Sequence, residues 1–322
     1  RYRYFGGHSE VGCTILPTEL IDDNGARLRH YVQRYARRWE LESGFHEWLE
    51  AHNDFCNTLV DRIVPGFPED AAAIQEQLGF RDRLLVTGEP YHLWAIEGTA
   101  RSRQRFPADQ AGLNVRYVDD LSAIRTLKVR LLNGAHTAMV PLGLLAAIES
   151  VGEGIADPTL GPFIEELLHQ EIIPTLPHPA TEAGAYAQDV LERFANPFIH
   201  HRLADIALNS SAKFASRLQP SLEIAYRQSG ALPPRLTLAL ASLIRLYRGD
   251  IIDRRDEAAA LRHFDQAWQA ATPAEVARRA LPWWTFSSSL RQTLEPAVGN
   301  LLEEMESVSV SNLLQRINND PN

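Results

Sequence analysis

The chain has 322 residues, 45% of them hydrophobic and 23% charged, with a formal net charge of −9, enough to bury one large or two medium cores without cross-links. The acidic balance excludes a broad basic face for nucleic acid or an anionic membrane, but it is compatible with a local cationic pocket. Two cysteines, Cys13 and Cys56, make neither a disulfide scaffold nor a zinc cluster, no run of about 18 apolar residues offers a membrane span, and RYRYFGGHSE lacks the apolar stretch of a secretory leader, so a cytoplasmic setting is expected.

The first predicted element is VGCTILP (Val11 to Pro17), an apolar, β-branched stretch that reads as a buried strand with sequence-distant partners. From Ala26 to Val64, Phe45, Trp48, Leu49, His52, Phe55, Cys56, Leu59 and Ile63 recur at three- and four-residue steps. That spacing predicts two helices, divided near Gly44, the second ending at Pro65-Gly66. LLVTGEPYHLWAIEG (Leu84 to Gly98) predicts two short strands around Gly88-Glu89-Pro90, and NVRYVDD (Asn114 to Asp120) one more. After Asp120 every run looks helical, with starts at Leu121, Leu160, Ala183, His201, Leu236, Asp256 and Pro273. Joints rich in proline and glycine separate them (GEGIADP, PTLPHPA, SGALPPR). The expected fold is mostly α. Residues 1–120 read as the residual C-terminal part of a Rossmann-like α/β domain, too poor in strands to close its own sheet, and residues 121–322 as an all-helical domain.

Several constellations could carry chemistry. Lys128, Asn133 and His136 sit just before the apolar run TAMVPLGLLAAI. At 100° per residue they fall within about 140° on one side of a helix, and Pro141 predicts a kink just past His136. A lysine, an amide and an imidazole suit carbonyl–alcohol interconversion: acid/base, oxyanion donor and hydroxyl partner. A lysine base acting near neutrality needs its pKa lowered by roughly 3 units, about 4 kcal/mol. Spacing alone leaves a structural reading open, with Lys128 on the surface and His136 satisfied in the core. Asp61-Arg62, placed inside the second apolar helix end, is either a partly buried ion pair or a site-facing pair with Arg62 open to a carboxylate. His201 and Asp205 have metal-ligand spacing on one helix face, without an evident third ligand. Lys213 follows the polar break Asn209-Ser210-Ser211, as a solvated lysine or an anion contact. Glu89 and Glu97 make a paired-carboxylate hydrolase conceivable, though nothing else supports it. Gly6-Gly7 is not part of a GxGxxG turn, and no phosphate-binding loop occurs.

Lys128-x4-Asn133-x2-His136 resembles the signature of the polyol-specific long-chain dehydrogenases, the mannitol dehydrogenase and hexuronate reductase group. ILPTELIDDNG, FCNTLVDRIVPGFP, EPYHLWAIEG, KVRLLNGAHTAMVPLG, RFANPFIHHRLADIALNSSAKF and LQPSL follow in order over nearly the whole chain. They are similar to the tagaturonate reductase branch of that group. The resemblance implies a metal-free, NAD(H)-dependent reduction of tagaturonate to altronate, with a small sugar acid as partner and neither nucleic acid nor membrane. It implies Lys128 as the acid/base, Asn133 as oxyanion donor, His136 as a hydroxyl contact, Lys213 as a substrate-binding lysine and Asp61 as an acidic residue of the site. NAD(H) would be bound mainly by a nucleotide-binding region ahead of Arg1. The chain departs from the mannitol dehydrogenases at PTEL, where they carry an SCDN-like segment, and at Asp205, where they tend to carry arginine. Both departures point to another substrate. A metal-dependent helical hydrolase using His200, His201 and Asp205, or a catalytically incomplete helical module, stand as alternatives.

Overall fold

The early stretch VGCTILP finds its partner far along the chain. In the computed structural model, which describes residues 1–319, β1 (Thr14–Ile15) lies parallel to β2 (Asp54–Phe55), with Thr14 opposite Asp54 and Ile15 opposite Phe55. A second sheet has the order β3 (Asn57–Asp61), β4 (Leu93–Glu97), β5 (Val115–Val118), with β3 antiparallel and β5 parallel to β4. Cys56, Ile96 and Val115 are buried at its heart, with Leu16, Trp94 and Tyr117 packed against them.

The helices predicted between Ala26 and Val64 need one correction. They form as Asn24–Arg38 and Ser43–His52, so the second stops well before Pro65. Asn53 stops it, because its side-chain amide donates to the carbonyls of Trp48 (3.0 Å) and Leu49 (3.4 Å) while its oxygen accepts from Cys13 N–H (2.9 Å). The chain then runs extended through the β-branched Thr58 and Val60, and Asp61 closes a strand rather than a helix. A second staple holds the helix start. Asn24 is buried, donating to the carbonyls of Pro17, Glu19 and Thr58 (all 3.1 Å) and accepting from Thr58 N–H (2.9 Å). The next residue is glycine because a Cβ at Gly25 would lie 2.2 Å from the Cys56 carbonyl oxygen.

Of the two strands expected between Leu84 and Gly98, only β4 forms. Leu84 and Val86 are exposed, and Thr87 makes a single antiparallel bridge to Gly66. A stretch with its apolar side chains in water gains too little burial to order a strand.

The chain divides into two units, Arg1–Val64 with Gly88–Arg125, and Pro65–Thr87 with the chain from Thr126 onward. Residues 65–87, read from sequence with the mixed region, therefore group with the helical unit. Residues 320–322, the end of the expected helical region, lie outside the described residues. Every named element beyond β5 is helical. At the centre, Pro234–Leu246 buries all its residues but Pro234 and Arg245, and Asn133–Leu145 is buried from Gly134 to Gly143, the pattern of core helices. Arg235, 1% exposed, pairs with Glu166 and lies 3.7 Å from Glu171. Glu171 also accepts the backbone N–H groups of Arg235 and Leu236 (both 2.8 Å), capping the Pro234–Leu246 helix. Burial, opposed by those two bonds, pushes the Glu171 carboxyl up to about 7.

Candidate active site

Lys128–Leu132 is not α-helical. It forms a π-helical turn between Ser122–Leu127 and the helix Asn133–Leu145, closed by a bond from Asn133 N–H to the Lys128 carbonyl. The helical-wheel angle expected between Lys128 and Asn133 is therefore corrected. A wide turn closed across five residues stacks its two ends, so these side chains share a face more closely than α geometry allows. Such single π turns are frequent at functional sites. Pro141 lies inside the following helix, which continues to Leu145.

The turn is anchored from below by Arg130. Its buried guanidinium donates to Ser221 Oγ from Nε (3.2 Å) and from Nη2. Ser221 and Thr175 share a hydroxyl–hydroxyl bond of 2.9 Å, and Thr175 donates to the Ile172 carbonyl (2.6 Å). No carboxylate is bonded to Arg130 among the described residues, and burial lowers it to about 10.

His136, one turn past Asn133, is buried. Its ring lies 4.1 Å from the Phe194 ring at 31°, with His201 5.0 Å away at 75°, edge to face. Its Nε2 is buried with no hydrogen-bond partner among the described residues. Burial holds the imidazole well below the usual histidine range, and His201, Arg217, Arg193 and Lys213 push the same way. The ring is neutral at neutral pH, able to donate or accept one bond.

The two arginines and the lysine come from two helices. Arg193 is buried near the end of Ala180–Phe194. Lys213 and Arg217 lie one turn apart on Ser210–Arg217. Lys213 Nζ donates to the Ile206 carbonyl (2.7 Å), and burial, then Arg217, lowers it to about 8. Arg217 Nη1 donates to Thr137 Oγ1 (3.1 Å) and reaches the Asn133 carbonyl (3.5 Å), which also accepts from Thr137 Oγ1 (2.8 Å). Glycine at 134 lets this helix end approach. A Cβ there would sit 3.3 Å from Leu218 Cδ2.

The second unit thus carries Lys128, Asn133, His136 and Lys213. The expected Asp61 and Arg62 belong to the first unit. There Asp61 is buried at the end of β3 opposite Leu93, and Arg62 is exposed, its Nε donating to the Glu89 carbonyl (2.8 Å). The helix-face argument for His201 and Asp205 fails, because His201 precedes the helix Leu203–Ile206 and Asp205 lies 3.8 Å from Arg255 on the surface. Among the described residues, no three His, Cys, Asp or Glu side chains gather as metal ligands. Sequence reasoning missed Arg130, Arg193 and Arg217. Lys213-x3-Arg217, two like charges one helical turn apart, was the available signal for the last.

Comparison with known proteins follows the same lines. Residues 3–139 match the mannitol dehydrogenase Rossmann domain and residues 120–283 the mannitol dehydrogenase C-terminal domain. The matches overlap on the stretch carrying Lys128, Asn133 and His136. The chain is 43% identical over 282 residues to the altronate oxidoreductase of Yersinia pestis, covering 86% of this chain and 58% of that protein. It is 45% identical over 269 residues to the altronate oxidoreductase of Bacillus subtilis (strain 168), covering 83% and 55%. The chain therefore spans less than three fifths of the length of these relatives. Among solved structures, Pseudomonas fluorescens mannitol 2-dehydrogenase, in ternary complex with NAD and D-mannitol, superimposes with a TM-score of 0.73 at 22% identity, over 96% of this chain and 63% of that one. Substrate-free D-sorbitol dehydrogenase gives 0.79 at 22% identity, over 97% and 64%. On these matches the chain belongs to the mannitol dehydrogenase family.

Proposed function

We propose that the protein reduces the ketone of an open-chain keto-hexonate, tagaturonate to altronate, as an NADH-dependent oxidoreductase. The names of its relatives support the reaction. The observation that carries it is the π turn, whose closing bond sets Lys128 and Asn133 on one face ahead of a buried neutral imidazole.

NAD(H), when bound, supplies or accepts the hydride. Among the described residues, no strand leads into a glycine-rich turn suited to a pyrophosphate. In this reading the first unit is the later part of a Rossmann-type domain, and the pyrophosphate seat lies outside these residues. What the present residues contribute is the proton and the grip on the substrate. The Lys128 ammonium gives its proton to the ketone oxygen as the alcohol forms, and the neutral amine takes it back in the oxidation direction. The Asn133 amide N–H donates to the same oxygen as negative charge develops there. His136 Nε2, buried and without a hydrogen-bond partner among the described residues, bonds a substrate hydroxyl. Lys213 meets the anionic part of the substrate.

The test is NADH oxidation by the full product of the gene on addition of tagaturonate, with altronate identified as product. Turnover of uncharged ketoses with none of tagaturonate would overturn the proposal.

A further inference from the structure

We propose that Arg217 reads the substrate carboxylate. The inference rests on the protein being a keto-hexonate reductase.

Three observations carry it. First, Arg217 is half-buried, and burial lowers it to about 10. Taking a guanidinium out of water is unfavourable unless a counter-charge meets it. Among the described residues Arg217 has no carboxylate partner, in contrast to Arg235. Second, its donors divide. Nη1 is spent on Thr137 Oγ1 and the Asn133 carbonyl, which fixes the guanidinium over the first turn of the His136 helix. Nε and Nη2 donate to no protein acceptor among the described residues, so the side of the fork able to take a carboxylate stays open. Third, Lys213 stands one turn away on the same helix face, with no salt-bridge partner among the described residues. Like charges at that spacing repel; Asp256 offsets this for Lys213 only in part, and among the described residues no carboxylate forms a salt bridge with either cation. A carboxylate between Arg217 and Lys213 relieves the repulsion, next to the residues proposed to hold the ketone. In a chain of net charge −9, such a cluster marks the place for an anion.

The reading of the carboxylate is tested with altronate and altritol, which differ only in carboxylate against hydroxymethyl. Their binding to the full gene product is measured by isothermal titration. The wild type is expected to prefer altronate by at least about tenfold, the size of one charge-assisted hydrogen bond. In Arg217→Gln the ratio collapses to within about twofold. Arg217→Lys keeps the charge but loses the fork and gives an intermediate ratio. It carries the same comparison should the glutamine variant not fold, and a full wild-type ratio in it overturns the proposal. So does a glutamine variant in which both ligands weaken together with the ratio kept, for Arg217 then only holds the Asn133 turn. If tagaturonate is not reduced but the ratio still depends on Arg217, the reductase reading falls and the carboxylate site stands. If tagaturonate is reduced by Arg217→Gln at the wild-type KM, the carboxylate site falls and the reductase reading stands.

Discussion

Arg235 and Arg217 are two cations that the helical unit takes out of water, and it treats them differently. Arg235 is enclosed by Glu166, Gln170 and Glu171, with Glu171 also capping the central helix. Arg217 is given a hydroxyl and a carbonyl and no acid among the described residues. The first has its charge paired within the protein, as a buried ion needs when it serves the fold, although its Nε finds no hydrogen-bond acceptor among the described residues. The second has its charge paired only with an anion added. The Lys128–Leu132 turn and the Asn133 helix stand beside that incomplete site, which is why we place the chemistry there.

The largest effect that can break this contrast is on turnover. Lys128→Ala is expected to lower kcat roughly a thousandfold, within the usual range for a proton-transferring side chain, with the melting temperature nearly kept. Near-normal turnover would remove Lys128 from the chemistry. Next, Arg235→Met should reverse the pattern. It strands Glu171 and Glu166 without their partner and costs about 3–5 kcal/mol in a denaturant titration. Arg217→Gln should cost well under half as much, and equal losses would mean that the two arginines do the same work. A third prediction concerns pH. Lys213 is lowered to about 8 from the usual lysine value of 10.5. Its ammonium is therefore present below about pH 8 and lost above it, and KM for the anionic substrate should rise above pH 8, by at most about tenfold per pH unit. Stability without ligand has the opposite sign. Between about 8 and 10.5 the unfolded chain binds the proton that the folded chain has released, so stability rises across that window. A Lys213→Met variant should flatten both trends. The smallest effect is at Asp205, exposed and 3.8 Å from Arg255. Asp205→Asn should change stability by no more than about 0.5 kcal/mol.

Where local pattern and tertiary structure agreed, the sequence was a good guide. The helical character after Asp120 and the strand at Asn114 to Asp120 could be read because their periodicity matches the faces they bury. Phe55 to Ile63 misled, because its apolar spacing fits a helix and a strand alike. The choice is made by Asn53 and by pairing with β4, neither of which is local. The π turn was hidden for a related reason. Lys128, Asn133 and His136 could be picked out by type and spacing, but one widened turn inside a helix leaves no mark in hydrophobic periodicity. Arg217 was missed, since its spacing from Lys213 is the one mark it leaves in the sequence. Only its bonds to Thr137 and the Asn133 carbonyl, and the lack of an acid beside it among the described residues, set it apart.

The central claim is that this site acts on a keto sugar acid, held by its charge. The most direct measurement is the ratio of kcat/KM for tagaturonate to that for its uncharged ketose counterpart, with NADH and the full gene product. We predict a preference of roughly a hundredfold or more, as expected when a desolvated charged group loses its partner. Equal values, or a preference for the uncharged ketose, would contradict the account.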